Sequence, residues 1–304
     1  MKNEYVKSPL NYTGGKHKLL PQIMPLFPKS IGRFVDLFCG GADVGVNVTS
    51  KKCIMNDIDR NVTGILSSLK ECKMDYILSF IKEKIEQYGF SDVNKNGYEF
   101  YGCQSSDGVG AYNKGKYMKL RHDLNEMERD STMYYLTLYT TIIFSFNNQI
   151  RFNSKGEFNM PVGKRDFNKN MKEKLENFIN TIQSINCTIT NFDFRELKPE
   201  KLNTDDFVYC DPPYLITCAS YNENDAWNEN DENDLYSILD KLNEKGISFG
   251  LSNVIYNKGK TNDILLEWSK KYNIYHLNHT YSNCNYHSLN KTKGTTDEVF
   301  VCNY

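Results

Sequence analysis

Residues 211–214 read Asp-Pro-Pro-Tyr and follow an apolar run that ends at Cys210. Two successive prolines donate no backbone hydrogen bonds and hold a stiff, extended turn. The tetrapeptide therefore offers acceptors, the Asp211 carboxylate and nearby carbonyls, beside the ring of Tyr214. That set suits an aromatic base carrying an NH2 group. The lone pair of such an amine is delocalised into the ring and is a poor nucleophile. Acceptors aimed at both N–H groups return density to nitrogen and favour a tetrahedral geometry as it attacks, a preorganised electrostatic effect of several kcal/mol. The tyrosine ring can stack on the base and hold it at near-attack distance from an electrophile.

Three other segments carry chemistry. Asp36-Leu37-Phe38-Cys39-Gly40-Gly41-Ala42 follows a short apolar run. Its glycines let the backbone turn tightly and approach a ligand at the carboxyl end of a sheet. The spacing is not G-x-G-x-x-G, which disfavours a dinucleotide and a generic oxidoreductase. Asn56-Asp57 closes the next run, where an acidic side chain is placed to accept hydrogen bonds from ribose hydroxyls. Near the N-terminus, Gly14-Gly15-Lys16 has the look of a phosphate loop. It lacks both the G-x-x-x-x-G-K-[ST] spacing and a preceding strand, so ATP is not the expected ligand.

The elements that must position these residues follow from hydrophobic periodicity. Short apolar runs at 33–38, 52–57, 187–190, 206–210, 247–251, 274–277 and 298–302 read as strands. Residues 133–146, 232–245 and 262–272 read as helices, and 65–185 is mostly of helical period. Polar, glycine-rich pieces at 102–115 and 147–163 interrupt that stretch, and 222–234 reads as a mobile polar loop. Alternating strands and helices predict an open, largely parallel sheet with helices on both faces. The expected division is one domain of residues 1–64 and 166–304 with an inserted lobe at 65–165.

Composition narrows the setting. The net charge of −1 argues mildly against a nucleic-acid partner, but the charge is segregated: residues 151–174 hold seven cations against three anions. Phosphate contacts need cations on one face only. The nine cysteines are scattered without a C-x-x-C pair. They read as small buried hydrophobes of a reducing compartment, with no metal site. No apolar run approaches the roughly 18 residues of a membrane span, and Met1 to Tyr5 lacks a signal-peptide character. A cytoplasmic protein without a membrane partner is expected.

In type and order these segments resemble the Dam-type, alpha-group DNA adenine-N6 methyltransferases over nearly the whole chain. The resemblance runs through Tyr12-Thr13-Gly14-Gly15-Lys16, Phe38-Cys39-Gly40-Gly41, Asp57, Asp193-Phe194 and Asp211-Pro212-Pro213-Tyr214. Residues Arg151 to Gly163 are similar to the family's R-x-N-x-x-G-x-F-N-x-P-x-G hairpin, and Leu251-Ser252-Asn253 and Asp297-Glu298-Val299 also fall on similar positions.

The resemblance implies an α/β fold: a Rossmann-like S-adenosylmethionine-dependent methyltransferase sheet with an inserted, mainly helical target-recognition lobe at 65–165. It implies that Tyr12, Lys16, Asp36, Phe38, Gly40, Asp57, Asp193 and Phe194 hold S-adenosylmethionine. Asp211, Pro212, Pro213 and Tyr214 would receive an adenine flipped out of double-stranded DNA, at a cost of a few kcal/mol. Asn147, Gln149, Arg151, Asn153 and Lys155 would meet the DNA. Asp36 stands where relatives usually carry Glu, and Ala42 where many carry a third glycine. Asn147-Asn148-Gln149-Ile150 departs from the Asn-Gly-Leu of GATC-reading members and is closer to methylases of asymmetric, type IIS-like sites. The implied setting is a bacterial or phage restriction–modification system, with a monomeric methylase and a companion endonuclease. Methylation of another amine (cytosine N4, an RNA base or a protein glutamine) and a regulator using a methylase fold to occupy DNA stay open as alternatives.

Overall fold

The computed structural model describes residues 5–12, 14–217, 227–278 and 296–304. The chain divides into two compact units. The first comprises Met1–His17, Gly40–Asn47 and Asp59–Ile189, and the second Lys18–Cys39, Val48–Ile58 and Thr190–Tyr304. The strands are β1 (Arg33–Asp36), β2 (Lys52–Asn56), β3 (Cys187–Thr190), β4 (Phe207–Cys210), β5 (Ser248–Asn257), β6 (Lys260–Thr261), β7 (Asn273–Leu277) and β8 (Thr296–Cys302). The helices are α1 (Leu20–Ile23), α2 (Arg60–Glu71), α3 (Met74–Tyr88), α4 (Val93–Asn96), α5 (Gly110–Glu126), α6 (Thr132–Ile143), α7 (Lys169–Ser184), α8 (Glu229–Glu244) and α9 (Asp263–Ser269).

In the second unit the strands lie in the order β2-β1-β4-β5-β8-β7, with β6 against β5. β2, β1, β4 and β5 are parallel; β8 is antiparallel to both neighbours. Central parallel strands are covered on both faces and read as unbroken apolar runs, which is why Phe207-Val208-Tyr209-Cys210 is buried throughout. On one face Val35, Val208, Phe249 and Leu251 share a cluster with Leu235, Leu239 and Leu242 of α8. On the other, Phe27 packs its ring 4.8 Å from Phe207 and 5.8 Å from Phe300.

In the first unit, α6 is buried from Tyr134 to Ile143 and is capped by Ser131, whose hydroxyl accepts the Tyr134 N–H at 3.1 Å. Burial on every side, with the Thr137, Thr140 and Thr141 hydroxyls bonded back to helix carbonyls, marks a helix surrounded by protein rather than an amphipathic surface one. A β-carbon on Gly64 of α2 would lie 2.1 Å from the Tyr135 ring, so the glycine permits this close approach.

Three sequence expectations are corrected. Only the first half of the polar piece 102–115 is irregular, because α5 starts at Gly110. A β-carbon there would lie 2.7 Å from the Gly163 carbonyl oxygen, and the adjacent Val109 N–H bonds Lys164 O at 2.9 Å. That glycine serves a close backbone approach, not a break. Residues 222–226 of the expected loop lie outside the described residues, but 229–234 are helical. Asn228 forms a capping box with Asp231, and the acidic first turn of α8 complements the helix dipole. β5 continues past Leu251 to Asn257 because its polar pair is satisfied internally. Ser252 pairs with the Tyr209 hydroxyl at 2.8 Å, and the Asn253 amide donates to Glu232 at 3.1 Å. Lys258 and Gly259, both at positive φ (48° and 89°), then make the two-residue turn into β6.

Among the described residues seven cysteines are free, five of them buried, and no cluster of metal-ligating side chains occurs. Cys218 and Cys284 lie outside the described residues. Among the described residues no helix is long and apolar enough to cross a membrane.

Candidate active site

In the second unit the carboxyl ends of β1, β4 and β2 bring Asp36, Asp211 and Asp57 to one edge of the sheet. Asp36 is in register with Tyr209 of β4 and with Met55 of β2. Asn56 shapes this edge. Its side-chain amide donates to Leu37 O (3.1 Å) and Phe192 O (3.0 Å), while its oxygen accepts from Thr190 Oγ1 and the Phe192 N–H, both at 3.0 Å. Asn191 in turn donates to the carbonyls of Asp57 (2.7 Å) and Ile58 (2.9 Å). The backbone around Asp57 is thereby fixed while its carboxylate stays buried.

The next segment starts at Asp193, which caps a 3-10 turn over Phe194–Glu196 in a reciprocal capping box. Phe194 meets Phe38 at 5.4 Å and Trp227 at 5.3 Å, and Phe38 meets Trp227 edge-on at 5.7 Å. Arg195 lies 4.5 Å over the Phe194 ring and pairs with Asp193, Asp231 and Asp234.

After β4, Asp211 is half-buried, Pro212 buried and Pro213 exposed. The Tyr214 hydroxyl lies 3.1 Å from Asp211 Oδ1 and 2.9 Å from Glu298 Oε1. Neighbouring groups register the negative field of these carboxylates. Burial pushes the Cys39 thiol, the Tyr209 phenol and the Cys210 thiol well up. Behind burial come Asp36 and Asp57 for Cys39, Asp211, Asp36 and Glu298 for Tyr209, and Asp36 and Asp211 for Cys210. A site of this sign favours a cationic ligand.

The remaining sequence-chosen residues belong to the first unit. Gly40 adopts φ +47°, and a β-carbon on it would sit 2.8 Å from the Tyr12 ring. The Lys16 ammonium is buried and donates to Gly14 O at 3.0 Å. Ala42 is fully buried at φ +65°, a left-handed conformation that explains a glycine preference at this position. In the hairpin, Phe152 pairs with Phe158. Asn153 Oδ1 accepts the N–H groups of Lys155 (3.0 Å) and Glu157 (2.9 Å), and Gly156 turns at φ +74°. Exposed Arg151 donates from Nε to Asn159 Oδ1 (2.7 Å) and from Nη2 to Asn159 O (3.0 Å). Asn147 sits at φ +53°, with its carbonyl accepting from Asn11 at 2.9 Å. Gln149 is half-buried.

Residues 12–283 match the D12 class N6 adenine-specific DNA methyltransferase family. The chain belongs to this family. Its mixed α/β architecture with a mostly parallel sheet accords with the methyltransferase fold expected from the sequence. It is 44% identical to the type II methyltransferase M.FokI of Planomicrobium okeanokoites over 99% of this chain and 43% of that protein. The modification methylase StsI of Streptococcus sanguinis is 39% identical over 99% of this chain and 43% of its own length. The type II methyltransferase M1.LlaDCHI of Lactococcus lactis subsp. cremoris is 26% identical over 96% of this chain and 94% of its own. The chain thus spans less than half the length of the first two relatives.

Sequence reasoning did not single out Trp227 or Glu232, and noted Asn159 and Glu298 only as family-like positions. A charged residue opening the apolar run Val299-Phe300-Val301-Cys302 was the available signal for Glu298. Nothing local distinguishes Glu232 from its acidic neighbours.

Proposed function

We propose that this protein transfers a methyl group from S-adenosylmethionine to N6 of an adenine flipped out of double-stranded DNA, at a specific site. The observation that carries the reading is Asp211 with Tyr214 at the carboxyl end of β4, beside the acidic ends of β1 and β2. The donor fits: it is cationic at sulfur and at its ammonium, and this edge of the sheet is anionic. S-adenosylmethionine supplies an electrophilic methyl group on positive sulfur. Asp36, Phe38, Asp57, Asp193 and Phe194 of the second unit hold the donor. Asp57 receives the ribose hydroxyls. The Asp211 carboxylate accepts from the adenine amine, with Pro212 and Pro213 fixing the turn and the Tyr214 ring against the base.

Residues 65–165 are assigned to target recognition, with Asn147, Gln149, Arg151, Asn153 and Lys155 facing DNA. The names of the relatives, a type II methyltransferase and a modification methylase, support a restriction–modification role; a cytoplasmic setting, a companion endonuclease and a monomeric methylase are proposed with it. Incubation with labelled donor and duplex DNA, followed by digestion to nucleosides, tests the reading. Label in N6-methyldeoxyadenosine is expected; label in N4-methyldeoxycytidine, or none, overturns it. Asp211→Ala should lower turnover by about two orders of magnitude or more, with donor affinity within about threefold of wild type.

A further inference from the structure

Glu232 is fully buried in the first turn of α8, and its two oxygens do different work. Oε1 accepts from the Tyr236 hydroxyl (2.6 Å), the Asn262 amide (2.7 Å) and the Asn253 amide (3.1 Å). Asn262 itself caps α9, so this oxygen ties α8, β5 and α9 together. Oε2 accepts from the Trp227 indole N–H at 2.5 Å. Burying a carboxylate is costly unless its hydrogen bonds are met, and here one oxygen is directed to a residue outside the helix.

The orientation of Trp227 is informative. A half-buried tryptophan ordinarily turns its N–H to water and its hydrocarbon inward. Trp227 instead has its N–H held by a buried carboxylate, while its half-buried ring lies among Phe38 and Phe194. These three rings come from three separate segments. Phe38 follows Asp36 by two residues and Phe194 follows Asp193 directly, so the cluster borders the acidic strand ends. Partly exposed hydrocarbon fixed in this way calls for a flat apolar ligand group next to a cationic one.

We infer that Trp227 is a donor-binding residue. With Phe38 and Phe194 it forms the wall that receives the purine of S-adenosylmethionine, and Glu232 is the positioning residue that holds it there. This rests on the donor proposed above. The substitution Glu232→Gln separates the two functions of the carboxylate. The amide oxygen keeps the three donors at Oε1, while the NH2 group confronts the indole N–H and cannot accept from it.

S-adenosylhomocysteine binding, measured by calorimetry without DNA, is the test. Trp227→Ala should weaken binding roughly tenfold or more, as expected for one lost base–aromatic stack. Trp227→Phe should stay within about threefold, because a ring remains to stack. Glu232→Gln should fall between them and raise the donor KM while leaving kcat at saturating donor within about threefold, since it loosens a binding wall rather than a reacting group. Trp227 and Trp268 are the chain's two tryptophans, so Trp268→Phe leaves Trp227 as the only indole reporter. Its emission should change saturably with S-adenosylhomocysteine. Unchanged emission at saturation, or Trp227→Ala binding within twofold of wild type, overturns the inference while the donor assignment stands. If wild-type protein binds no S-adenosylhomocysteine, the donor assignment falls and the inference with it.

Discussion

The hydroxyl of Tyr214 lies 2.9 Å from Oε1 of Glu298, a carboxylate only 1% exposed. The same hydroxyl is 3.1 Å from Asp211 Oδ1. One O–H proton serves one acceptor at a time, so donation to Glu298 releases Asp211 Oδ1 for a substrate amine. Glu298→Ala and Tyr214→Phe should each lower kcat about tenfold, the scale of one hydrogen bond to a charged group. Donor affinity should stay within about threefold in both. The double variant should lose little more than either single one, since both changes break the same contact. Independent, multiplying losses in a double-mutant cycle would show that the pair does not act as a unit.

Asp57 and Asn56 are adjacent but should fail differently. Asp57→Ala should raise the S-adenosylhomocysteine Kd about tenfold by calorimetry, as for a lost charged hydrogen bond, with little change in kcat at saturating donor. Asn56→Ala removes four internal hydrogen bonds from a buried position. It should destabilise the fold by about 2 kcal/mol or more, visible as a lower Tm without ligand. Unchanged donor binding in Asp57→Ala would reduce that residue to a structural role.

Asn159 engages the Nε/Nη2 edge of Arg151, which leaves the Nη1/Nη2 edge with the two parallel donors that a guanine accepts. Arg151→Ala should relax specificity at one base pair by about 1–3 kcal/mol, with donor binding unaffected. Asn159→Ala should relax the same position less. Methylation of a library randomised at each site position reads both. Equal loss on cognate and random DNA would make Arg151 a phosphate contact.

Burial, with help from nearby Lys7 and against the pull of Asp43, pushes the Lys174 ammonium down to about 8. The ordinary lysine value of 10.5 applies in the unfolded chain. Between those values the unfolded state binds more protons than the folded one, so this group makes stability rise with pH across that window. Below it the buried cation is a standing penalty. Lys174→Met should therefore raise Tm at pH 7, and the advantage should shrink as pH climbs from 8 towards 10. A pH-independent difference in thermal melts would assign the effect to packing instead.

Legibility in the sequence followed the physics of each residue. The strands were readable because buried parallel strands are continuous apolar runs between turn residues. The Asp211 motif was readable because its chemistry is contained in four consecutive positions. Glu232 was hidden because its donors lie at 227, 236, 253 and 262 and local composition makes it look like surface. The same holds for β5, whose polar Ser252-Asn253 broke an apolar pattern that Tyr209 and Glu232 restore from a distance. Gly110 read as a breaker because close backbone approach leaves no mark separate from flexibility.

The middle of the second unit's sheet joins strands far apart in the chain: Phe34 of β1 pairs with Phe207 of β4, 173 positions later. At typical translation speeds the ribosome needs roughly ten to thirty seconds to make that interval. Throughout it, the inner edge of β1 waits without its permanent neighbour while the whole of α2 to α7 emerges. An unpaired apolar edge is a template for the wrong partner. Newly made chains are therefore most exposed to aggregation midway through synthesis, and slower, cooler expression lets α2 to α7 condense before β4 arrives.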